Sequence, residues 1–270
     1  LGLKSQYFSR FGNDQLGSVM LADIEAEGVD ISLVKRVDSF TGAMVRNSGK
    51  SQVVEISYLR KGSAASTIEP QDILDSYISS AKWLHTTGIT CAISTTGAAT
   101  VKYALSKAAS LAIKSSFDLN IRRRLWSEAD AKKVLAPLAS NIELLIGGED
   151  EYQVVFGSNE PKKILAEANK RGCRIAVMTK GDQMIRYSID GDYAEINPPK
   201  VVTVDPVGSG DAFTGGVIAG LLNGSSVEQA LGQGSICGAL VASMFGDWTG
   251  IPTGKLGLID KEIIAKVRGN

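Results

Sequence analysis

The 270 residues carry 29 basic and 29 acidic side chains, for a formal net charge of zero, and contain no block of like charges. That balance offers no electrostatic footprint for nucleic acid or an anionic membrane as partner. No apolar run approaches the roughly 18 residues needed to span a bilayer. At 28.6 kDa the chain can bury a sizeable core, and it reads as one large α/β domain over residues 1–270. Cys91, Cys173 and Cys237 are odd in number and widely spaced, without a Cys-x-x-Cys pair. They read as small buried side chains of a cytoplasmic protein rather than as disulfides or zinc ligands. His85 is the only histidine, which excludes a multi-histidine metal centre; it reads as a strand-end residue with a satisfied ring.

The chain opens at Leu1 without signal-peptide features. Residues 5–10 read as a short strand, and Phe11-Gly12-Asn13-Asp14 as the turn into a helix over 15–27, capped by Asn13 or Asp14. Two strand-like runs follow, 41–46 and 52–59, joined by a turn at Asn47-Ser48-Gly49-Lys50. Their partial alternation predicts a half-exposed antiparallel hairpin over about residues 38–62. Gly49-Lys50-Ser51 does not complete a Walker phosphate loop, because Met44 stands where its first glycine belongs. At the end of the hairpin, Tyr58 and Arg60 share one face by strand alternation.

From Glu69 onward helices and strands alternate, which predicts a parallel sheet with helices on both faces. Helices are expected at 70–80, 98–113, 128–136, 149–156 and 161–171. Strands are expected at 83–87, 116–120, 142–146 and 174–179, with a hairpin over 184–196 turning at Asp190-Gly191. Ligands of open α/β sheets gather beyond the carboxyl ends of the strands. Three strings therefore stand out: Asp118-x-Asn120-x-Arg122, Gly148-Glu149-Asp150-Glu151 and Thr179-Lys180-Gly181-Asp182. Each also has an ordinary reading. Arg122-Arg123-Arg124 suits a solvated helix start, Glu151 a helix N-terminal charge, and Thr179 to Asp182 a plain turn.

Val201-Val202-Thr203-Val204 reads as a buried strand, and residues 212–222, closed by Asn223-Gly224, as a helix. Asp205-Pro206-Val207-Gly208-Ser209-Gly210-Asp211 connects them. A chain that turns through glycines into a helix aims several unpaired backbone N–H groups at one point, and that point attracts anions. Gly208 and Gly210 let the backbone approach a ligand with no Cβ in the way. Asp211 is electrostatically awkward there, unless it takes a proton from a hydroxyl attacking a phosphoryl group held by those N–H groups. Taken alone, an isolated Gly-x-Gly-Asp reads rather as a helix start capped by the Asp. The string is neither a Walker loop nor a dinucleotide fingerprint, since Phe213 stands where the latter needs its third glycine. Residues 226–245 read as a long helix of small residues, suited to lying close to an adenine. Gly246-Asp247-Trp248-Thr249-Gly250-Ile251-Pro252 follows it.

The string from Asp205 to Phe213 resembles the second signature of the ribokinase/PfkB family of carbohydrate kinases, Asp-Thr-x-Gly-Ala-Gly-Asp-x-Phe. Pro206 replaces its Thr and Ser209 its Ala. Gly12, Asp14 and Gly17 resemble the family's early Gly-x-Asp-x-x-Gly. The strings around Tyr58 and Arg60, Asp118 to Arg122, and Gly246 to Pro252 are similar to those of 2-keto-3-deoxygluconate kinases. The resemblance implies a ribokinase-like α/β fold, a mostly parallel central sheet flanked by helices, with a small antiparallel lid sheet that in some members also joins two subunits into a homo-oligomer. It further implies phosphoryl transfer from ATP, with Mg2+, to a hydroxyl of a sugar acid such as 2-keto-3-deoxygluconate. Asp211 would be the base, with the backbone at Gly208, Ser209 and Gly210 as anion hole. Tyr58, Arg60, Asn120, Arg122 and Asp247 would face the sugar acid, while Thr179, Lys180 and Gly181 would follow the nucleotide. Glu151 would help organise the metal, although Gly148 replaces the Asn of the family's Asn-x-x-Glu. The family's opening strand, acidic sugar contact and Gly-Gly-x-x-x-Asn segment lie outside these residues. Two alternatives stay open: another sugar of the family, such as fructose or ribose, and a sugar-binding remnant without turnover.

Overall fold

A computed structural model describes residues 1–46 and 56–252 of the chain. They pack into two compact units: an amino-terminal unit of residues 4–143 with 154–157, and a carboxy-terminal unit of residues 1–3, 144–153 and 158 onward. Among the described residues no helix is long and apolar enough to cross a membrane.

In the amino-terminal unit, β1 (Gln6–Gly12) and β2 (Asp30–Val37) pair in parallel across α1 (Gln15–Ala26). Asp14 caps α1 and ties it to the following loop. Its Oδ1 accepts the Gly17 N–H at 2.7 Å and the Thr41 hydroxyl at 2.7 Å, and its Oδ2 accepts the Thr41 N–H at 2.6 Å. A Cβ on Gly17 would come within 2.6 Å of Thr41 Oγ1, which explains the Gly-x-Asp-x-x-Gly spacing as one packed knot. The strand β2 was not expected. Its residues alternate only partly, with Asp30, Lys35 and Arg36 interrupting the apolar pattern. Lys35 is nevertheless held, since its Nζ lies 2.8 Å from Asp72 Oδ1.

The strands β3 (Ala43–Arg46) and β4 (Ile56–Leu59) form the expected antiparallel pair, with Met44 opposite Tyr58. The turn foreseen at 47–50 and the start of the second run lie outside the described residues. The helix expected over 70–80 is instead a 3-10 turn at Pro70–Asp72 followed by α2 (Asp75–Ser79). Asp72 is the reason. Its carboxylate, 4% exposed, accepts the Glu69 N–H at 3.0 Å and pairs with Arg10 at 2.6 Å, so the chain is closed off there by a cap and a buried ion pair.

The parallel pair β5 (Trp83–Thr87) and β6 (Lys114–Asp118) is crossed by α3 (Gly88–Ile93) and α4 (Thr95–Ser110). Ser94 is extended and caps α4 by accepting the Gly97 N–H at 2.9 Å, which separates the two helices. His85 sits within β5, its Nδ1 sharing a 2.8 Å hydrogen bond with the Ser116 hydroxyl. Ser127 caps α5 (Glu128–Leu138), which closes the unit.

In the carboxy-terminal unit, β7 (Leu144–Gly148) and β8 (Ile175–Thr179) run parallel. The strands β9 (Ile185–Ile189) and β10 (Asp192–Ile196) extend that sheet antiparallel. Their turn falls at Asp190 and Gly191, both in the left-handed region, as the Asp-Gly pair foretells. The helix α6 (Glu149–Phe156) follows β7 directly, and α7 (Pro161–Lys170) buries Ile164, Leu165 and Ala168 against β8 to β10. Burying Ile164 and Leu165 contributes about 1.5–3 kcal/mol each. The run Val201–Val204 is not a strand, and it is not buried: Val202 is 85% exposed and Val204 58%. Instead the Val204 and Asp205 N–H groups donate to the carbonyl of Ala242, at the end of α9 (Val227–Ala242). A β-branched run becomes a strand only with a ladder partner, and here the end of the run is held by a helix terminus instead. The segment then enters α8 (Ser209–Leu222).

Candidate active site

The glycine loop is set by its own side chains. Asp205, 3% exposed, accepts the Val207 N–H at 3.2 Å, and the Ser209 hydroxyl donates to the Pro206 carbonyl at 2.7 Å. Ser209 thus spends its side chain on holding the loop. Gly208 caps α8 with φ +80°, and a Cβ on it would lie 2.8 Å from the carbonyl carbon of Asp247 and collide with its oxygen. The backbone of Asp247, expected near the site, is therefore seated directly against the loop, with its side chain exposed. Gly210 differs: space is open where its Cβ would be. Asp211 stands exposed in the first turn of α8, where helical N–H groups have no intrahelical acceptors.

A second cluster lies at the ends of β7 and β8. Glu151 Oε2 accepts the Gly148 N–H at 2.7 Å, and the Asp150 carboxylate reaches within 2.8 Å of where a Gly148 Cβ would stand. Gly148 in place of Asn thus makes room for Asp150. Glu149 Oε1 lies 3.4 Å from Lys180 Nζ, and its Oε2 lies 2.9 Å from Arg186. Thr179 ends β8, its hydroxyl 3.4 Å from the Gly147 carbonyl, and Gly181 is left-handed at φ +56° with nothing near its Cβ position. The expected nucleotide loop and the expected metal-organising helix start are thereby brought together. Among the described residues no three His, Cys, Asp or Glu side chains converge as a metal cage. Magnesium needs none when phosphates supply most of its ligands beside one or two carboxylates, so the acidic first turn of α6 fits it.

The amino-terminal unit brings together the basic residues. The guanidinium of Arg60 lies over the Tyr58 ring, 4.8 Å from its centroid, as the shared strand face requires. Burial pushes the Arg60 guanidinium below its ordinary pKa; the phenol of Tyr58 opposes this, the positive charge of Arg122 adds to it, and Tyr7 also opposes it. Arg60 and Arg122 are therefore close enough to repel, and neither has a carboxylate partner among the described residues. Tyr7, 39% exposed, was not singled out by sequence; its ring stands edge-on to Phe11 at 6.2 Å. Nothing in the spacing of the first strand sets Tyr7 apart. An open cavity of about 550 Å3 borders Tyr58, Arg60, Lys61, Phe40 and Thr41. Asn120 lies at the exit of β6, 8% exposed and left-handed at φ +36°.

A carboxylate in the first turn of a glycine-capped helix, beside backbone N–H groups without intrahelical acceptors, is an arrangement that suits phosphoryl transfer on an α/β fold. The chain belongs to the pfkB family of carbohydrate kinases, whose model matches residues 1–254. It is accordingly a sugar kinase with the ribokinase-like fold, a mixed sheet with helices and a small antiparallel sheet. It is 31% identical over 257 residues to the 2-dehydro-3-deoxygluconokinase of Bacillus subtilis, covering 94% of this chain and 79% of that one. A PfkB protein of Polaromonas sp. JS666 shares the fold with a TM-score of 0.83 and 28% identity, covering all of this chain and 84% of the other. A ribokinase II of E. coli, solved with ATP and magnesium, superposes with a TM-score of 0.88 at 22% identity, covering 98% and 84%.

The two loop glycines should separate cleanly. Gly208→Ala forces a left-handed alanine against Asp247 and should cost at least about 1–2 kcal/mol of stability. Gly210→Ala meets nothing and should leave the melting temperature unchanged or slightly raised. Thermal denaturation of both variants checks this; equal losses would mean the loop is not seated as described.

Proposed function

We propose that this sugar kinase phosphorylates a 2-keto-3-deoxy sugar acid, with 2-keto-3-deoxygluconate as the best candidate and its 6-hydroxyl as acceptor, using ATP and magnesium in the cytoplasm. The observation that carries the acid is the pair Arg60 and Arg122, two guanidiniums that repel each other and lack carboxylate partners among the described residues. A neutral hexose offers such a pair only hydroxyl acceptors, whereas a carboxylate relieves the repulsion and accepts two-pronged hydrogen bonds. The names of relatives support the same choice.

In this reading the acceptor hydroxyl attacks the terminal phosphorus of ATP, its proton passes to the Asp211 carboxylate, and the bond to the departing ADP oxygen breaks. The N–H groups at Gly208, Ser209 and Gly210 hold the charge that spreads over the transferring phosphoryl oxygens. Thr179, Lys180 and Gly181 border the nucleotide, Lys180 exchanging its 3.4 Å contact with Glu149 for a phosphate. Magnesium, when bound, neutralises phosphate charge, and Glu151 is the side chain assigned to order it. Tyr58 orients Arg60, and Asp247 borders the acceptor. The exposed Met44, Val45 and Leu59 of the small antiparallel sheet are assigned to a contact between two copies of the chain.

Three outcomes test these assignments. Asp211→Asn should fold and bind nucleotide while turnover falls roughly 10²–10⁴-fold; a variant of parental activity, or a parent without ATP turnover, would remove the catalytic reading. A screen over acid sugars, fructose, ribose and nucleosides should favour the acid. In the same assay Arg122→Ala should weaken acid-sugar binding by about 2 kcal/mol, the low end for an exposed partner, with KM for ATP unchanged. Preference for fructose with no effect of Arg122→Ala would refute the acid and leave the kinase. For the copy contact, analytical ultracentrifugation should show a dimer that Val45→Asp dissociates; identical sedimentation of both proteins would refute it.

A further inference from the structure

Arg122 sits on a loop, yet its backbone is pinned on both sides. Directly before it the chain leaves β6 through a bend in which Asn120 adopts φ +36°, a conformation non-glycine residues rarely take. The Asp118 carboxylate holds that bend, accepting the Asn120 N–H at 3.2 Å and, at a longer 3.4 Å, its side-chain amide. A third contact comes from Gly88 at the start of α3. A Cβ there would lie 3.1 Å from the Leu119 carbonyl carbon and collide with its oxygen, so only glycine admits this path. Ile121, 5% exposed, is anchored in the core. Beyond the bend, the Leu125 N–H donates to the Arg122 carbonyl at 2.7 Å. The Arg122 side chain emerges exposed from this frame.

The bend is unfavourable in two independent ways. Asn120 is strained, and its Oδ1 is buried without a hydrogen-bond partner among the described residues. Such features persist where the surrounding structure enforces them for a purpose. The oxygen is shielded from solvent, so it does not itself meet a ligand in this conformation. We infer that Asp118, Asn120 and Gly88 are positioning residues for Arg122: the clamped left-handed bend turns the chain out of β6 and aims the guanidinium, and Asn120 acts through Arg122 rather than by touching the sugar. This rests on Arg122 as the partner of the acceptor's carboxylate.

A double-mutant cycle read on KM tests it. Asn120→Ala disfavours the bend and should raise KM for the acid sugar roughly 10- to 100-fold, the usual effect of a displaced binding group, with KM for ATP unchanged. Asn120→Gly keeps the left-handed backbone while removing the side chain, and should restore KM to within about three-fold of the parent. In an Arg122→Ala background, Asn120→Ala should change KM no further. If Asn120→Gly is as damaging as Asn120→Ala, or if the Asn120 and Arg122 effects multiply, Asn120 contacts the sugar and the inference is overturned. An Arg122→Ala variant of parental KM would instead sink the carboxylate reading, and the inference with it. Should Asn120→Ala not fold, Asp118→Asn carries the same cycle with the same expected pattern.

Discussion

Two helices of the carboxy-terminal unit, α8 and α9, meet at the level of their backbones, and the glycine loop is placed by that contact. A Cβ on Gly216 would come within 2.7 Å of the Gly234 Cα, and one on Gly220 within 2.8 Å of the Ala230 Cα. On the facing helix, a Cβ on Gly234 would lie 2.6 Å from the Phe213 carbonyl, and one on Gly238 2.9 Å from that of Ser209. The contact thus extends to the first residue of α8. The far end of α9 then holds the incoming chain, through the two N–H groups that reach the Ala242 carbonyl. Gly208 to Asp211 is consequently fixed from both sides before any ligand arrives. Preorganised donors of this kind stabilise developing charge without a reorganisation penalty at the moment of reaction.

The electrostatics of the amino-terminal unit have meaning because the rest of the chain is balanced. With 29 charges of each sign there is no general surplus of cations. Several basic groups find acids: Arg10 and Lys35 share Asp72, Arg123 meets Glu128 at 2.6 Å, and Arg186 meets Glu149. Among the described residues Arg60 and Arg122 do not, and the partly buried Arg60, its pKa lowered first by burial, is the kind of perturbed charge that marks a candidate functional site. The choice of arginine over lysine adds a geometric reason, since a planar fork matches a carboxylate and stays charged even when partly buried.

What the sequence made legible follows from range. Periodicity and caps are local, so α1, α6 and the hairpin over 184–196 could be placed from their own residues, Asp14 and Asp190-Gly191 included. The glycine loop could be read because its chemistry is contained in consecutive residues. Failures arose where a distant partner decides. Asp30 to Val37 is a strand because β1 lies beside it, and Lys35 tolerates its place because Asp72 waits there. Val201 to Val204 is no strand: no strand among the described residues pairs with it, and its last N–H, with that of Asp205, goes to the end of α9. The small residues of α9 read as clearance for a nucleobase, whereas Gly234 and Gly238 are small because α8 lies against them. The proximity of Arg60 to Arg122 and Tyr7 joins three separate stretches, and no spacing announces it.

The glycines carry the distinction between architecture and chemistry one step further. Gly12, Gly88, Gly208 and Gly234 are glycine because another part of the protein occupies the place of a Cβ. Gly181 is glycine because its backbone is left-handed. Gly210 answers to neither reason: its φ is not positive, nothing lies within 4 Å of a Cβ there, and it sits inside a helix, where alanine would be favoured by about 0.5–1 kcal/mol. Gly215 and Gly232 are open in the same way, so what sets Gly210 apart is its place between the cap Gly208 and the carboxylate of Asp211. In the proposed reading a phosphate approaches the N–H groups there, and a side chain at Gly210 would stand in its path.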